Sequence, residues 1–388
     1  ADAVRSAQSA NPMLAAERLA ADAAAERIRP AGTLPDPQLT LGLMNRPLSG
    51  FGTGERMTMN QVQLSQVVPW PGKLALARER AERLASAESL SAAEAEVGLV
   101  AQVTARYYEL AAIDRTVTIL ERTRDLLRDF FDVSQTMYAV GQSPQQDVLQ
   151  AQVAVAQMTE ELTVMRQNRV ATMARFNALL GQVAEAPVGS LDLPPIGGAL
   201  PEIDSLMGLA RLARPALLAA EERRRAAEVS VRAATRERYP DLMVGVAYGQ
   251  RPQFDDMASL MIGLNLPLRA GARQIPLRRE MEALEARSAA LVTDLANETY
   301  AQLVEGRADA ERARELGTLY ATAIIPQAGA AVESALSAYR VGQVDYMTLV
   351  ENQMTVNRYQ IELVRITARF HQAVARIDAL LGNRGEIQ

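Results

Sequence analysis

The sequence predicts a mainly α-helical chain with a transmembrane β portion, built from two copies of one unit. Three observations predict it. The stretch "YAVGQSPQQDVLQAQ" from Tyr138 returns as "YRVGQVDYMTLVENQ" from Tyr339. Each half contains two short stretches whose apolar residues alternate with a period of two. Each pair is followed by a helical pattern far longer than a globular-domain helix, the first without an internal proline.

The repeat comes first because it sets the boundaries. Tyr138 to Gly181 aligns without a gap on Tyr339 to Gly382, with Gly141 facing Gly342 and "ALLG" at Ala178 facing "ALLG" at Ala379, a constant shift of 201 residues. Upstream, "PQLTLGL" from Pro37 matches "PDLMVGV" from Pro240, and "VPWPGK" from Val68 faces "LPLRAG" from Leu266. A unit of about 190 residues is too long for a solenoid repeat. The predicted organisation is a first repeat 1–181 (helix, β-hairpin 37–68, long helix 72–138, tip turn 139–143, helix 144–181) and a Pro/Gly-rich linker 182–206. A second repeat 207–382 follows (helix, β-hairpin 240–268, long helix 271–339, tip turn 340–344, helix 345–382), then a tail 383–388.

The opening helix over 11–31 is Ala-rich and should stop at Pro30 and Gly32. In the first hairpin Leu39, Leu41 and Leu43 alternate with Gln38, Thr40 and Gly42, and Val62, Leu64 and Val68 face away from Gln61, Gln63 and Ser65. In the second, Leu242, Val244, Val246 and Tyr248 make one apolar face and Leu260, Ile262, Leu264 and Leu266 another. Strands of roughly 9 to 11 residues cross a bilayer when tilted in a barrel; a small soluble sheet is the competing reading. Along the first long helix Val103, Leu110, Ile113, Val117, Leu120 and Leu127 form a coiled-coil seam. At 1.5 Å per residue that helix extends about 100 Å.

At its far end the duplicated turn reverses the chain. Gly141 and Gly342 sit where a helix C-terminus needs the left-handed conformation. Ser143, Pro144 and Gln146 should then supply an N-cap, a first-turn proline and a capping-box partner, and Asp345 should cap the second copy.

Composition bounds the function. The 388 residues are 48% hydrophobic but only 4% aromatic, so a large buried surface must be made from Ala, Leu and Val, which favours close helix contacts. There is no cysteine, which removes disulfides and thiolate metal sites. The net charge of -5 is spread with both signs interspersed, so there is no basic face for nucleic acid. No apolar run reaches the length of a transmembrane helix, which leaves a β-barrel open. The opening "ADAVRSAQSANP" has neither a basic n-region nor an apolar core and reads as a mature or trimmed start.

Other features reduce to structure. "GFGTGER" at Gly50 lies between strands and lacks the Lys-Ser/Thr ending of a phosphate loop, so it reads as a hairpin loop. His371 is the lone histidine and has no ligand-spaced partner. Met57 and Met59 read as adaptable packing rather than soft-metal ligands. Pro326 in "AIIPQAG" should bend the second long helix. No nucleophile–base pair, phosphate cradle or metal constellation is evident, so neither an enzyme nor a cofactor is expected.

With its two "Y-x-V-G-Q" tips, its "VPWPGK" and "NLPLRAG" junctions, its P-x-L-x-L-G first strands and its paired "ALLG" endings, the sequence resembles the TolC-like outer membrane efflux family over nearly its whole length. The resemblance implies a homotrimer in which each chain gives four strands to a shared twelve-stranded β-barrel in the outer membrane lipid, continued by a twelve-helix α-barrel tunnel in the periplasm. It implies a passive channel for drugs or metal ions, served by a periplasmic adaptor (membrane fusion protein) and an inner membrane transporter. The "IIPQA…AYRVGQ" segment leans toward the resistance-nodulation-division class of transporter. The adaptor would dock on the tips at Val140, Gly141, Gln142, Val341, Gly342 and Gln343.

The resemblance also implies a gate at the tips. Glu351 matches a position where the family places a pore acid, while Thr348 stands where a second acid is common, which weakens any acidic ring. Asp147 is the acid of the first tip, and Tyr339 matches a tyrosine able to hydrogen-bond it. Two plainer roles stay open: Asp147 suits a helix N-terminus, a placement worth about 0.3–1 kcal/mol, and Tyr339 suits ordinary hairpin packing. The alternative function is a soluble periplasmic adaptor or coiled-coil scaffold, which would need one helical hairpin and compact β-domains.

Overall fold

The structure is a computed structural model that describes residues 2–48, 52 and 54–383. Gly50, Phe51 and Thr53 of the "GFGTGER" stretch and residues 384–388 of the tail lie outside the described residues.

The elements in order are α1 (Asp2–Ala10), α2 (Pro12–Glu26), α3 (Ile28–Ala31), β1 (Gln38–Met44), β2 (Met59–Val68), α4 (Lys73–Ala139) and α5 (Gln145–Leu179). They continue with α6 (Ile203–Ala213), α7 (Pro215–Arg236), β3 (Asp241–Gln250), β4 (Met257–Asn265), α8 (Gln274–Leu319), a π-helical turn (Tyr320–Ile324), α9 (Ile325–Arg340) and α10 (Tyr346–Leu380). The chain is mainly helical with one small antiparallel sheet. α4 has 67 residues, the stretch from Gln274 to Arg340 has the same length, and α5 and α10 have 35 each.

Several elements differ from the sequence expectation. The helix expected over 11–31 is two pieces, α2 and α3, parted at Arg27, and a further helix α1 precedes it; Asn11 caps α2 with its side chain, accepting from Leu14 N at 3.1 Å ahead of Pro12 at N1. β1 has seven residues, short of the 9 to 11 expected. The second long helix is interrupted by the π-turn just before Pro326, at the second position of α9. A proline has no N–H and crowds the carbonyl four residues back, and the wider π-turn accommodates both. The N-cap of α5 is Pro144 and not Ser143: its ψ of 155° is extended and no side chain caps the helix. The Ser143 hydroxyl instead reaches the Ser134 carbonyl at 3.4 Å.

The chain divides into two compact units that do not follow the two halves of the sequence: Ala1–Glu17, Ala93–Pro215 and Ala296–Gln388 form one, and Arg18–Ala92 with Ala216–Leu295 the other.

The first unit is helical and small-residue packed. Leu120, Leu127 and Phe130 of α4 meet Met158 and Leu162 of α5 and Tyr346 and Leu349 of α10 in one core cluster. Ala310, Ala313 and Ala373 surround Ile366 and Phe370 in another, as the alanine-rich, aromatic-poor composition requires. Of the predicted seam, Val103, Leu110, Leu120 and Leu127 are buried. The segment after α5 has no regular structure until α6 begins at Ile203, yet it is pinned along its length. Asn177 Nδ2 donates to the carbonyls of Ala184 and Ala186, Arg169 to Val188, and Asp114 accepts from Leu191 N. His371 Nε2 lies 3.0 Å from the Pro194 carbonyl, which gives the lone histidine a structural place.

The second unit holds the sheet, in the order β1-β2-β3-β4. Its register lines the alternating residues up across all four strands. Leu39, Leu64, Val246 and Leu260 form one row and Leu41, Val62, Tyr248 and Ala258 the next. On the opposite face Thr40, Gln63, Ala247 and Ser259 form a row, beside one of Gly42, Gln61, Gly249 and Met257.

Candidate functional site

Two places in the fold are candidates for function: the face of the sheet and the helical tips. The sheet's burial is inverted relative to a water-soluble protein. Its leucine and isoleucine face is exposed, with Leu41 72%, Leu260 69% and Ile262 70% accessible, while Ser65 and Ala247 on the small and polar face are 9% and 7% accessible. A contiguous apolar face of this kind marks an interaction surface. No described helix is long and apolar enough to cross a membrane.

The tips are built by helix termination chemistry. At the end of α4 the N–H of Gly141 bonds Tyr138 O at 3.0 Å and that of Gln142 bonds Met137 O at 2.8 Å, with Gly141 at φ 73°. At the end of α9, Gly342 bonds Tyr339 O and Gln343 bonds Ala338 O, with Gly342 at φ 72°. Both are Schellman motifs, which need a residue without a Cβ at the left-handed position. Val140, Gly141, Gln142, Val341, Gly342 and Gln343 are all exposed. Asp345 caps α10, its carboxylate accepting from Thr348 N at 2.8 Å and Thr348 Oγ1 at 2.6 Å. These bonds hold the Asp345 carboxyl below its ordinary range.

Asp147 and Tyr339 meet. The Tyr339 hydroxyl donates to Asp147 Oδ2 at 3.4 Å in a buried setting, and its ring packs edge-on against Tyr346 at 5.8 Å. Burial raises the Asp147 pKa, the Tyr339 hydrogen bond pulls it back, and the Asp345 charge adds to the rise. Burial and the Asp147 charge push the Tyr339 phenol up to about 12, so it is a hydrogen-bond donor at every physiological pH.

Glu351 and Thr348 do not join this cluster. Both are exposed on α10, and Thr348 is engaged with Asp345. Sequence reasoning missed Tyr346, a fully buried centre of the tip core. The signal was present: Tyr346, Leu349, Val350 and Gln353 recur at helical spacing and are all buried. It also missed the buried bond from Thr123 Oγ1 to Asn357 Oδ1 at 3.0 Å, a pairing that links residues 234 apart and leaves no local trace. Among the described residues there is no cluster of His, Cys, Asp and Glu able to hold a metal.

This fold is that of outer membrane channels. The outer-membrane channel OprN superposes with a TM-score of 0.85 at 17% identity, covering 98% of this chain and 89% of that one. VceC from Vibrio cholerae gives 0.83 at 18%, covering 98% and 95%, and the open state of the MtrE outer membrane channel of Neisseria gonorrhoeae gives 0.81 at 12%, covering 98% and 88%. The sequence itself matches none of the curated proteins. Residues 3–182 match the model of the outer membrane efflux protein family. The sequence thus matches that family's pattern over its first segment, and the fold is shared with these outer membrane channels over nearly all its length.

Proposed function

We propose that the chain is the passive outer membrane channel of a tripartite efflux system. The observation that carries this reading is the inverted sheet, whose exposed apolar face suits hydrocarbon and whose small, polar face suits a water-filled lumen. β1 and β4 each leave one edge unpaired in the sheet order, and an open edge is not tolerated in lipid. Closure therefore requires copies of the chain, and the duplicated unit with its four strands per copy suits a homotrimeric twelve-stranded barrel, continued by a helical tunnel in the periplasm.

In this reading the exposed tips receive a periplasmic adaptor, and an inner membrane transporter of the resistance-nodulation-division class supplies the energy to export drugs or metal ions. The Asp147–Tyr339 contact latches the two tips of one chain to each other, and Glu351 faces the duct, where copies around an axis concentrate negative charge. The deciding experiment is single-channel conductance in a planar bilayer together with oligomeric mass in detergent. A conducting trimer is the expected result. A monomer that never inserts would overturn the proposal in favour of a soluble adaptor or scaffold.

A further inference from the structure

We infer that the groove at the helix-side end of the sheet binds the phosphate headgroup of an anionic phospholipid. The groove, about 560 Å³ and open to the surface, lies between the start of α4 and the end of α7. Its chemistry is lopsided. Arg232, Arg236 and Arg238 line it together with Tyr239. The acids nearby are already committed: Glu79 pairs with Arg232 at 2.5 Å, and Glu237 and Asp241 both pair with Lys73, at 3.2 and 2.9 Å. Arg236 and Arg238 make no carboxylate pair among the described residues. Arg236 donates to the Pro71 carbonyl at 3.1 Å, and Arg238 donates to the Tyr239 hydroxyl while its guanidinium lies 4.8 Å from that ring's centroid. A guanidinium has five N–H donors, so both keep several for a phosphate.

Position makes the ligand a lipid. Trp70 follows β2 by two residues and Tyr239 precedes β3 by two, and the two rings stack at 5.4 Å and 9°. The pair ends the sheet at the rim of its exposed apolar face. Stacked aromatics beside arginines at the border of an apolar sheet form the layer where headgroups sit. Gly72, at φ 91°, opens the wall: a Cβ there would lie 3.2 Å from Arg236 Nη1. The inference rests on the reading that the sheet faces lipid.

The test is native mass spectrometry of the purified full-length protein with dihexanoyl phosphatidylglycerol or dihexanoyl phosphatidylcholine, alongside insertion of the protein into phosphatidylcholine vesicles. The wild type should prefer the anionic lipid. Each of Arg236→Gln and Arg238→Gln should weaken that preference about 5-fold, and the double variant about 30-fold. Arg236→Lys should restore part of it. Equal retention of phosphatidylglycerol by wild type and double variant overturns the assignment, as does full displacement by an equal concentration of inorganic phosphate, which would mark a free-phosphate site. Insertion without lipid preference removes the groove and leaves the channel. Arginine-dependent headgroup binding by a protein that never inserts keeps the groove and removes the channel.

Discussion

Four glycines end helices in the same Schellman geometry at matched positions, yet the structure predicts that replacing them has two different costs. Gly141 and Gly342, at φ 73° and 72°, have open space where a Cβ would go. Gly181 and Gly382, at φ 67° and 76°, would place a Cβ 2.4 Å from the Ala10 carbonyl oxygen and 2.5 Å from that of Ala213. Alanine at the tips meets only the left-handed backbone penalty, about 1–2 kcal/mol. Alanine at the other pair meets that penalty and must also drive a helix-end carbonyl back by on the order of 1 Å to reach van der Waals distance. Overpacking of that kind adds about 1–3 kcal/mol, for about 2–5 kcal/mol in all. The assay is hydrogen exchange of the amides on either side of each glycine, with denaturant midpoints as a global check. Gly181→Ala should also expose amides at the start of α2, through Asn11, whose side chain donates to the Leu179 carbonyl at 2.9 Å. If Gly141→Ala costs as much as Gly181→Ala, the distinction between conformation and contact is wrong here.

The remaining predictions concern the tips and the sheet. The Asp147 pKa is raised above its unfolded value, so its contribution to tip stability is fully present below the ordinary aspartate range and is lost as pH rises through the folded pKa. Exchange protection around Asp147 should fall as pH rises from below the ordinary aspartate range, and Asp147→Asn should flatten the profile; a wild-type profile that rises would refute the sign. Asp345→Ala removes the cap on α10 and should cost about 0.5–2 kcal/mol, whereas Ser143→Ala, which removes no cap but only the long bond to the Ser134 carbonyl, should cost less in the same unfolding assay. Leu260→Arg on the exposed face should lower folding into bilayers by about 2–4 kcal/mol if that residue meets hydrocarbon, with no comparable loss for Ser259→Arg on the other face. Glu351→Gln should reduce cation selectivity in single-channel recordings, and unchanged selectivity would take Glu351 out of the duct.

Much of this was legible because it was local or periodic. The glycine stops, the Asp345 cap and the strand alternation each arise from neighbours within a few residues. What escaped depended on competition or distance. Ser143 is a good capping residue, but the extended ψ of Pro144 makes the proline itself the cap, one position later than the usual pattern. The π-turn at Tyr320–Ile324 is how the helix meets Pro326, and a kink and a π-turn share the same sequence signal. The segment after α5 reads as a Pro/Gly-rich linker by composition, and two of its anchors, Asp114 and His371, lie far away along the chain. The two tips also differ more than their sequences do: Tyr339 is 3% accessible while its counterpart Tyr138 is 46% accessible. Asp147 supplies a buried carboxylate where the second copy has the exposed Thr348.

The equal lengths of α4 and of the stretch Gln274–Arg340, which α8 begins, constrain how this gene can change. A substitution on α4 or α8 acts at one place, but one residue added to either helix moves everything beyond it by about 1.5 Å and turns it by about 100°. That would part Asp147 from Tyr339, although neither residue had been altered. Homologues should therefore diverge freely in spelling along these helices while insertions and deletions arrive in matched pairs or not at all, and a single-codon deletion scan should show intolerance across both helices where a substitution scan shows tolerance.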